Sequence, residues 1–164
     1  MSWLTAPTTH YPVTIDPVIG NLTGTGDTFV KENDTVTHEP EHSVGYTGAN
    51  RMRALLRWDN DPAFMGTTIT AATLKLWNHV SFTCDAKPVY AYPITSAMSV
   101  TNATWATQPT VDTSATYSSS ATFSHGYEPG CSNDYGTLDV KKIVAGWASG
   151  ALTNYGIEPA RVGD

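Results

Sequence analysis

The apolar residues of this chain recur at every second position, and that spacing restricts the fold more than any other feature of the sequence. The segment RMRALLRWD, residues 51–59, is the clearest case. One set of alternate residues is Ala54, Leu56 and Trp58, and the other is Arg53, Leu55 and Arg57. Successive side chains of a β-strand point to opposite faces, so this pattern predicts a half-buried strand with the first set inside.

The same alternation returns further along the chain. In TITAATLKLWN it places Ala72, Leu74 and Leu76 inside and Thr73, Lys75 and Trp77 outside. In KPVYAYPI it places Val89 and Ala91 inside and Tyr90 and Tyr92 outside. Charged residues are only 15% of the chain, and turn-forming residues separate the candidate strands. We therefore predict an all-β, antiparallel, jelly-roll-like sandwich.

One segment has helical spacing instead. LDVKKIVAGWASG places Val140, Ile143, Val144 and Trp147 at i, i+3, i+4 and i+7, with Asp139 as the expected N-cap and Gly150 as the terminator. We expect one short α-helix near the C-terminus that packs Trp147 into the core. The run TSATYSSSATFS is expected to be a loop or an edge strand rather than a disordered linker, because it contains Tyr117 and Phe123.

Length and charge limit the number of domains and the kinds of partner that we expect. At 164 residues the chain suits one domain, with residues 1–25 as a linker or N-terminal extension that holds a short strand and residues 26–164 as the folded unit. The formal net charge of −6 argues against nucleic acid as a partner, because non-specific affinity comes from Lys and Arg contacts to phosphates. No apolar stretch has the length of a membrane span, so we expect no membrane partner.

The two cysteines, Cys84 and Cys131, have no CxxC or Cys/His grouping that would suggest zinc. We prefer a disulfide, which would require an oxidising compartment. Two buried free thiols in a cytosolic protein are the alternative.

The segment HEPEH, residues 38–42, matches the HExxH pattern of zinc peptidases. That chemistry needs both histidines on one face of a helix, and Pro40 in the middle disfavours a helix. We therefore reject the peptidase interpretation in favour of a solvated acidic loop. Nucleophile-elbow, phosphate-loop and dinucleotide motifs are also missing from the sequence, so we predict that the chain is not an enzyme.

The outward residues of the predicted strands suggest a binding surface. Trp77, Tyr90 and Tyr92 would lie beside basic side chains if neighbouring strands present Arg53, Arg57 and Lys75 on the same side. Such a strip would suit an anionic polysaccharide, because cations hydrogen-bond strongly to carboxylates. The alternative is that a second layer of the protein covers this face. Trp58, Trp105 and Trp147 match core positions instead.

The order of these pieces, with ATWATQP and NYG, resembles the DNRLRE domain of bacterial extracellular proteins, over roughly residues 26–157. YPVTIDP upstream is similar to the segment that precedes such modules in actinobacterial RHS-repeat and other large surface proteins, and the Cys pair also resembles that branch. The resemblance implies non-catalytic work, and a related group attached to alginate lyases is regarded as carbohydrate-binding. It makes Asp27 the candidate for a structural calcium ion, with no other cofactor expected. Family members continue past NYG into a further strand, so the resemblance implies that the last strand is cut short or replaced by another segment.

Two functional hypotheses follow. The first is an accessory module of a secreted bacterial protein that binds polysaccharide and is joined to flanking domains. The second is a spacer or capping domain of a large RHS-type toxin or adhesin that binds no sugar. An exposed aromatic strip beside basic residues would favour the first, and a covered face would favour the second.

Overall fold

The computed structural model describes residues 26–33, 42–46, 48–127 and 129–161. The predictions for residues 1–25, including YPVTIDP, and for residues 38–41 of HEPEH lie outside this part of the chain. The elements in chain order are β1 (Gly26–Lys31), β2 (Gly45–Tyr46), β3 (Arg51–Arg57), β4 (Thr73–Asn78), β5 (Lys87–Pro93), β6 (Ser119–Phe123), β7 (Asp134–Asp139), α1 (Lys141–Ser149) and β8 (Ile157–Arg161).

Two antiparallel sheets form a sandwich. The large sheet has the strand order β1-β3-β8-β5-β6, with the short strand β2 also paired to β3, and the small sheet consists of β4 and β7. The expected all-β class, the sandwich and the single short helix are confirmed. Residues Ser119–Phe123 of the Ser/Thr-rich run form β6, an edge strand, which is one of the two structures expected for this run.

The core lies between the sheets and beneath the helix. The small sheet contributes Leu74 and Leu138, the large sheet contributes Val89, Ala91 and Ile157, and all five are buried. These residues hold the inward positions of their strands, because side chains alternate between the two faces of a sheet. The predicted inward residues Leu56 and Trp58 pack against this cluster and are half-buried.

The helix α1 closes one side of the core. Ile143 and Trp147 are buried in it, as the helical spacing predicts. Val140 rather than Asp139 occupies the N-cap position, but Asp139 Oδ1 still accepts a hydrogen bond of 2.9 Å from the N–H of Lys141. Gly150 ends the helix in the left-handed conformation, with φ of 76°, where a side chain would be strained.

A second layer covers part of the outer face of the large sheet. Residues 94–111 place Ile94, Met98 and Ala103 against Val30 and Leu55, and Leu55 is completely buried. The alternation correctly puts Leu55 on the face opposite to Leu56, but this covering segment makes that face a second small core. The predicted core residue Trp105 packs at its margin.

The residues that follow Asn154–Gly156 form β8, which lies between β3 and β5. Ile157 pairs with Leu56 of β3, and Glu158–Arg161 pair along β5. The resemblance implies a last strand after Asn154–Gly156 that is cut short or replaced by another segment. In the structure the segment is an interior strand of the large sheet.

A disulfide joins Cys84 to Cys131, which confirms the preferred pairing. Its two loops follow β4 and precede β7, and hydrogen bonds also connect this end of the two strands. The N–H of Ser81 donates to the carbonyl of Gly126 at 3.2 Å, and the N–H of His125 donates to Asn78 Oδ1 at 2.8 Å. The loops at this end of the small sheet therefore form one cross-linked unit.

Candidate functional site

The outer face of the small sheet is open. The register of β4 and β7 places Trp77 opposite Tyr135, Lys75 opposite Thr137 and Thr73 opposite Asp139. These six residues, which we call the small-sheet face, all have exposed side chains. No other described segment covers them, in contrast to the outer face of the large sheet.

An aromatic pair dominates the small-sheet face. The rings of Trp77 and Tyr135 meet edge to face with centroids 4.9 Å apart, yet 53% of Trp77 and 54% of Tyr135 remain exposed. Aromatic side chains of this size usually bury most of their surface, so the pair leaves an apolar platform in water. The negative face of such a ring attracts the weakly positive C–H groups of a sugar ring.

Polar groups flank the two rings. Lys75 precedes Trp77 by two residues on the same face of β4, and Thr137 lies opposite Lys75. Asp139 stands at the far end of the face, where its carboxylate also accepts the Lys141 hydrogen bond. One cation, one anion and the hydroxyl groups of Thr73 and Thr137 thus lie along one side of the platform, which allows hydrogen bonding to a polar ligand there.

Further apolar side chains are exposed beside this platform. Among the described residues seven large apolar side chains are exposed, and five of them lie in β4, in β7 or in the two cross-linked loops. Besides Trp77 and Tyr135 they are Val80, Phe82 and Tyr127, of which Phe82 is 80% exposed. Exposed apolar surface that is concentrated in one place usually marks a binding region.

The six residues predicted to line one strip lie on two different sheets. Lys75 and Trp77 belong to the small-sheet face, whereas Arg53, Arg57, Tyr90 and Tyr92 project from the outer face of the large sheet. The inner faces of the sheets pack against each other, so these two groups point in opposite directions. The alternative prediction is that a second layer of the protein covers the outward face. This holds for part of the large sheet, where residues 94–111 lie over Leu55.

Each arginine of β3 lies near a carboxylate. Arg51 is 4.0 Å from Glu32, Arg53 is 3.9 Å from Glu158, and Arg57 is 3.8 Å from Asp59. The exposed Arg57–Asp59 pair contributes little to stability because water screens it. The local charge along β3 is therefore largely offset, and a concentrated basic strip does not form there.

The contacts of Arg53 give this residue a structural role. Its guanidinium lies 4.9 Å from the centre of the Trp105 ring, and its Nη1 donates a hydrogen bond of 3.1 Å to Gln108 Oε1. Glu158 is only 2% exposed, so the nearby guanidinium helps to stabilise a buried carboxylate. Arg53 thus connects the covering segment to the large sheet.

The two tyrosines of β5 form a parallel pair. The ring centroids of Tyr90 and Tyr92 are 5.6 Å apart with an angle of 12° between the planes, and both side chains are half-buried. Burial, and then the nearby Tyr90 and Glu158, raise the pKa of Tyr92 above its ordinary value. Tyr92 therefore keeps its proton and remains a neutral hydrogen-bond donor at physiological pH.

Tyr135 is not among the six residues predicted from the sequence to form the binding strip. The segment DYGTLD contains the needed signal, because Gly136 and Leu138 alternate with Tyr135 and Thr137. The burial of Gly136 and Leu138 in β7 follows that alternation. What the sequence does not contain is the partner of β7, and thus the contact of Tyr135 with Trp77.

Two residues considered for metal binding contact each other. His42 Nε2 lies 3.0 Å from Asp27 Oδ2, and Asp27 is otherwise exposed. Within residues 26–33, 42–46, 48–127 and 129–161, no group of three or more His, Cys, Asp or Glu side chains could hold a metal ion. His38 and Glu39 lie outside these ranges, so calcium at Asp27 stays a prediction.

An antiparallel β-sandwich with an uncovered Trp–Tyr platform and neighbouring polar groups is an arrangement typical of carbohydrate-binding modules. The chain belongs to carbohydrate-binding module family 96, whose family model matches residues 19–158. Searches of curated proteins and of solved structures find no match. In the described part of the chain, no helix is long and apolar enough to span a membrane.

Proposed function

We propose that the chain is a non-catalytic accessory module of a secreted bacterial protein and that it holds polysaccharide on the small-sheet face. The observation that carries this proposal is the uncovered Trp77–Tyr135 pair, whose rings meet at 4.9 Å while about half of each side chain stays in water. A domain that served only as a spacer would have no need for this exposed apolar area, because burying the rings would stabilise it.

The secreted context rests on chemistry and on resemblance. The Cys84–Cys131 disulfide persists in an oxidising compartment. The resemblance to the DNRLRE domain supports a place beside flanking domains in a larger surface protein of the RHS-repeat kind. Membership of a carbohydrate-binding family agrees with the non-catalytic part of the proposal.

The proposal of an anionic polysaccharide depends on Lys75. Of the three predicted basic residues, Arg53 and Arg57 lie near carboxylates on the other sheet. Lys75 instead lies on the small-sheet face, two residues from Trp77. An ammonium group there would contact a uronate carboxylate while the sugar ring stacks on Trp77. Screening by salt would weaken that contact, since the site is exposed.

A glycan array that includes alginate, pectin and neutral β-glucans tests the proposal. We expect the wild type to bind at least one polysaccharide, and Trp77→Ala to bind it at least about tenfold more weakly, because the loss of an aromatic anchor costs about 1.4 kcal/mol or more. Tyr46→Ala is the matched control, since Tyr46 is 61% exposed on the large sheet. It should bind as the wild type does.

Lys75→Gln completes the design. If the ligand is anionic, this variant should bind alginate or pectin more weakly at low salt and should lose most of the salt dependence. Unchanged uronate binding in Lys75→Gln would refute the anionic part alone. Failure of the wild type to bind any glycan would refute the proposal and favour the spacer.

A further inference from the structure

We infer that the chain has a second sugar-binding site, at Tyr90 and Tyr92 on the outer face of the large sheet, and that one molecule bridges two polysaccharide chains. This inference rests on the proposed function of the small-sheet face. It adds a separate surface with its own residues, and its experiment can fail while the first site still binds.

The tyrosine pair lies on the uncovered part of the large sheet. Tyr90 is opposite Ser120 of β6, and Thr122 is opposite Pro88. Ser120, Thr122 and Pro88 are exposed, so the covering segment over Leu55 leaves the Pro88–Tyr90 end of this strand pair open. We call Tyr90, Tyr92, Ser120 and Thr122 the tyrosine face.

The chemistry of the tyrosine face suits an uncharged sugar. The parallel rings supply apolar contact area, and the phenol and hydroxyl groups beside them donate and accept hydrogen bonds. The neighbouring Arg53 and Glu158 lie 3.9 Å apart, so their opposite charges offset each other. A neutral polysaccharide therefore complements this surface better than a uronate polymer does.

The two faces point away from each other. Val89 and Ala91 alternate with Tyr90 and Tyr92 along β5 and are buried in the core, as Leu74 and Leu76 alternate with Trp77 along β4 and pack into the same core. The two faces lie on opposite sides of the sandwich, so when both are occupied they hold two separate polysaccharide segments.

A bridging assay tests this inference. Beads coated with alginate, pectin, xylan or mixed-linkage β-glucan are loaded with protein and then exposed to each polysaccharide carrying a fluorescent label, in all combinations. We expect the wild type to capture label in at least one combination that includes xylan or β-glucan. Trp77→Ala and the double variant Tyr90→Ala/Tyr92→Ala should each reduce capture at least about tenfold, because bridging needs both faces at once.

Ser120→Arg tests the same face independently, in case the double variant fails to fold. Ser120 is exposed on β6 opposite Tyr90, so a long side chain there obstructs the tyrosine face without entering the core. It should reduce capture while the protein still binds beads through Trp77.

Wild-type protein that binds beads but captures no label in any combination overturns the second site alone. Capture that survives in Ser120→Arg and in the double variant also overturns it. Protein that binds no beads overturns the proposed function together with this inference.

Discussion

At the scale of single residues, position decides what an aromatic side chain can do. Trp77 and Tyr135 meet across two strands and stay half in water, whereas Tyr90 and Tyr92 follow each other on one strand and lie closer to a buried carboxylate. The difference in environment changes the acid–base behaviour of Tyr92, whose pKa is raised mainly by burial.

The raised pKa of Tyr92 predicts a loss of stability in alkali. In the unfolded chain tyrosine loses its proton near its ordinary pKa of 10.0, while folded Tyr92 holds it to higher pH. The contribution of Tyr92 is therefore fully present below pH 10 and disappears as the pH rises through the folded pKa. Urea unfolding at a series of pH values from 8 upward should show the free energy of unfolding falling above pH 10.

Tyr92→Phe isolates the group responsible. This variant should show a smaller alkaline fall than the wild type, and an absorbance titration of phenolate should lose its late component. Tyr46→Phe, at an exposed site on the same sheet, should keep both. An alkaline fall of equal size in Tyr92→Phe would show that other groups cause it.

At the scale of elements, the small sheet depends on what lies beneath it. A two-stranded ribbon is marginally stable alone, so β4 and β7 need the core for support. Leu74 and Leu138 provide part of that support. Gly136 provides another part, because the ring of Phe123 from β6 occupies the space where a β-carbon at Gly136 would be.

Gly136→Ala should therefore destabilise the protein. The new methyl group forces the Phe123 ring to move, and overpacking of this kind costs about 1–3 kcal/mol. Thr137→Ala, at the adjacent exposed position of β7, should change the free energy of unfolding by less than about 0.5 kcal/mol. Denaturant unfolding of both variants measures the difference. Equal stability of Gly136→Ala and wild type would mean that Phe123 can move without cost.

At the scale of the whole molecule, contacts between distant parts of the chain hold the sandwich together. The C-terminal strand β8 lies in the middle of the large sheet between β3 and β5, so that sheet is complete only when the end of the described chain has been inserted. The disulfide connects the two loops at one end of the small sheet, and its cysteines are 47 positions apart in sequence. The strand β8 thus joins β3 to β5, and the disulfide cross-links the loops next to the aromatic platform.

Removal of the disulfide should lower global stability. In the chain-entropy description, a cross-link that closes a loop of this length stabilises by about 4 kcal/mol, because it restricts the unfolded chain. Cys84→Ser/Cys131→Ser should therefore unfold at a clearly lower urea concentration than the oxidised wild type. Reduced wild type is the control and should match the variant. If oxidised and reduced proteins unfold together, the cross-link has no net effect on stability.

Much of the local structure is predictable from the sequence. The alternation in β3, β4 and β5 identifies which residues share a strand face, including the opposite placement of Leu74 and Trp77, and the spacing around Trp147 identifies α1. These patterns are reliable because they reflect the geometry of one strand or one helix, in which neighbouring residues are already connected. The pairing of the cysteines is also predictable from the sequence, since these are the only two cysteines in the chain.

Tertiary contacts decide the pairing of strands, and with it the candidate site. Any strand backbone can hydrogen-bond to any other, so the alternation within β4 does not identify β7 as its neighbour or place Tyr135 against Trp77. For the same reason the six residues predicted for one strip divide between two opposite faces, and residues 94–111 bury Leu55 on a face that β3 alone marks as outward. Local geometry establishes the direction of each side chain, while the free energy of packing distant segments together selects what that side chain meets.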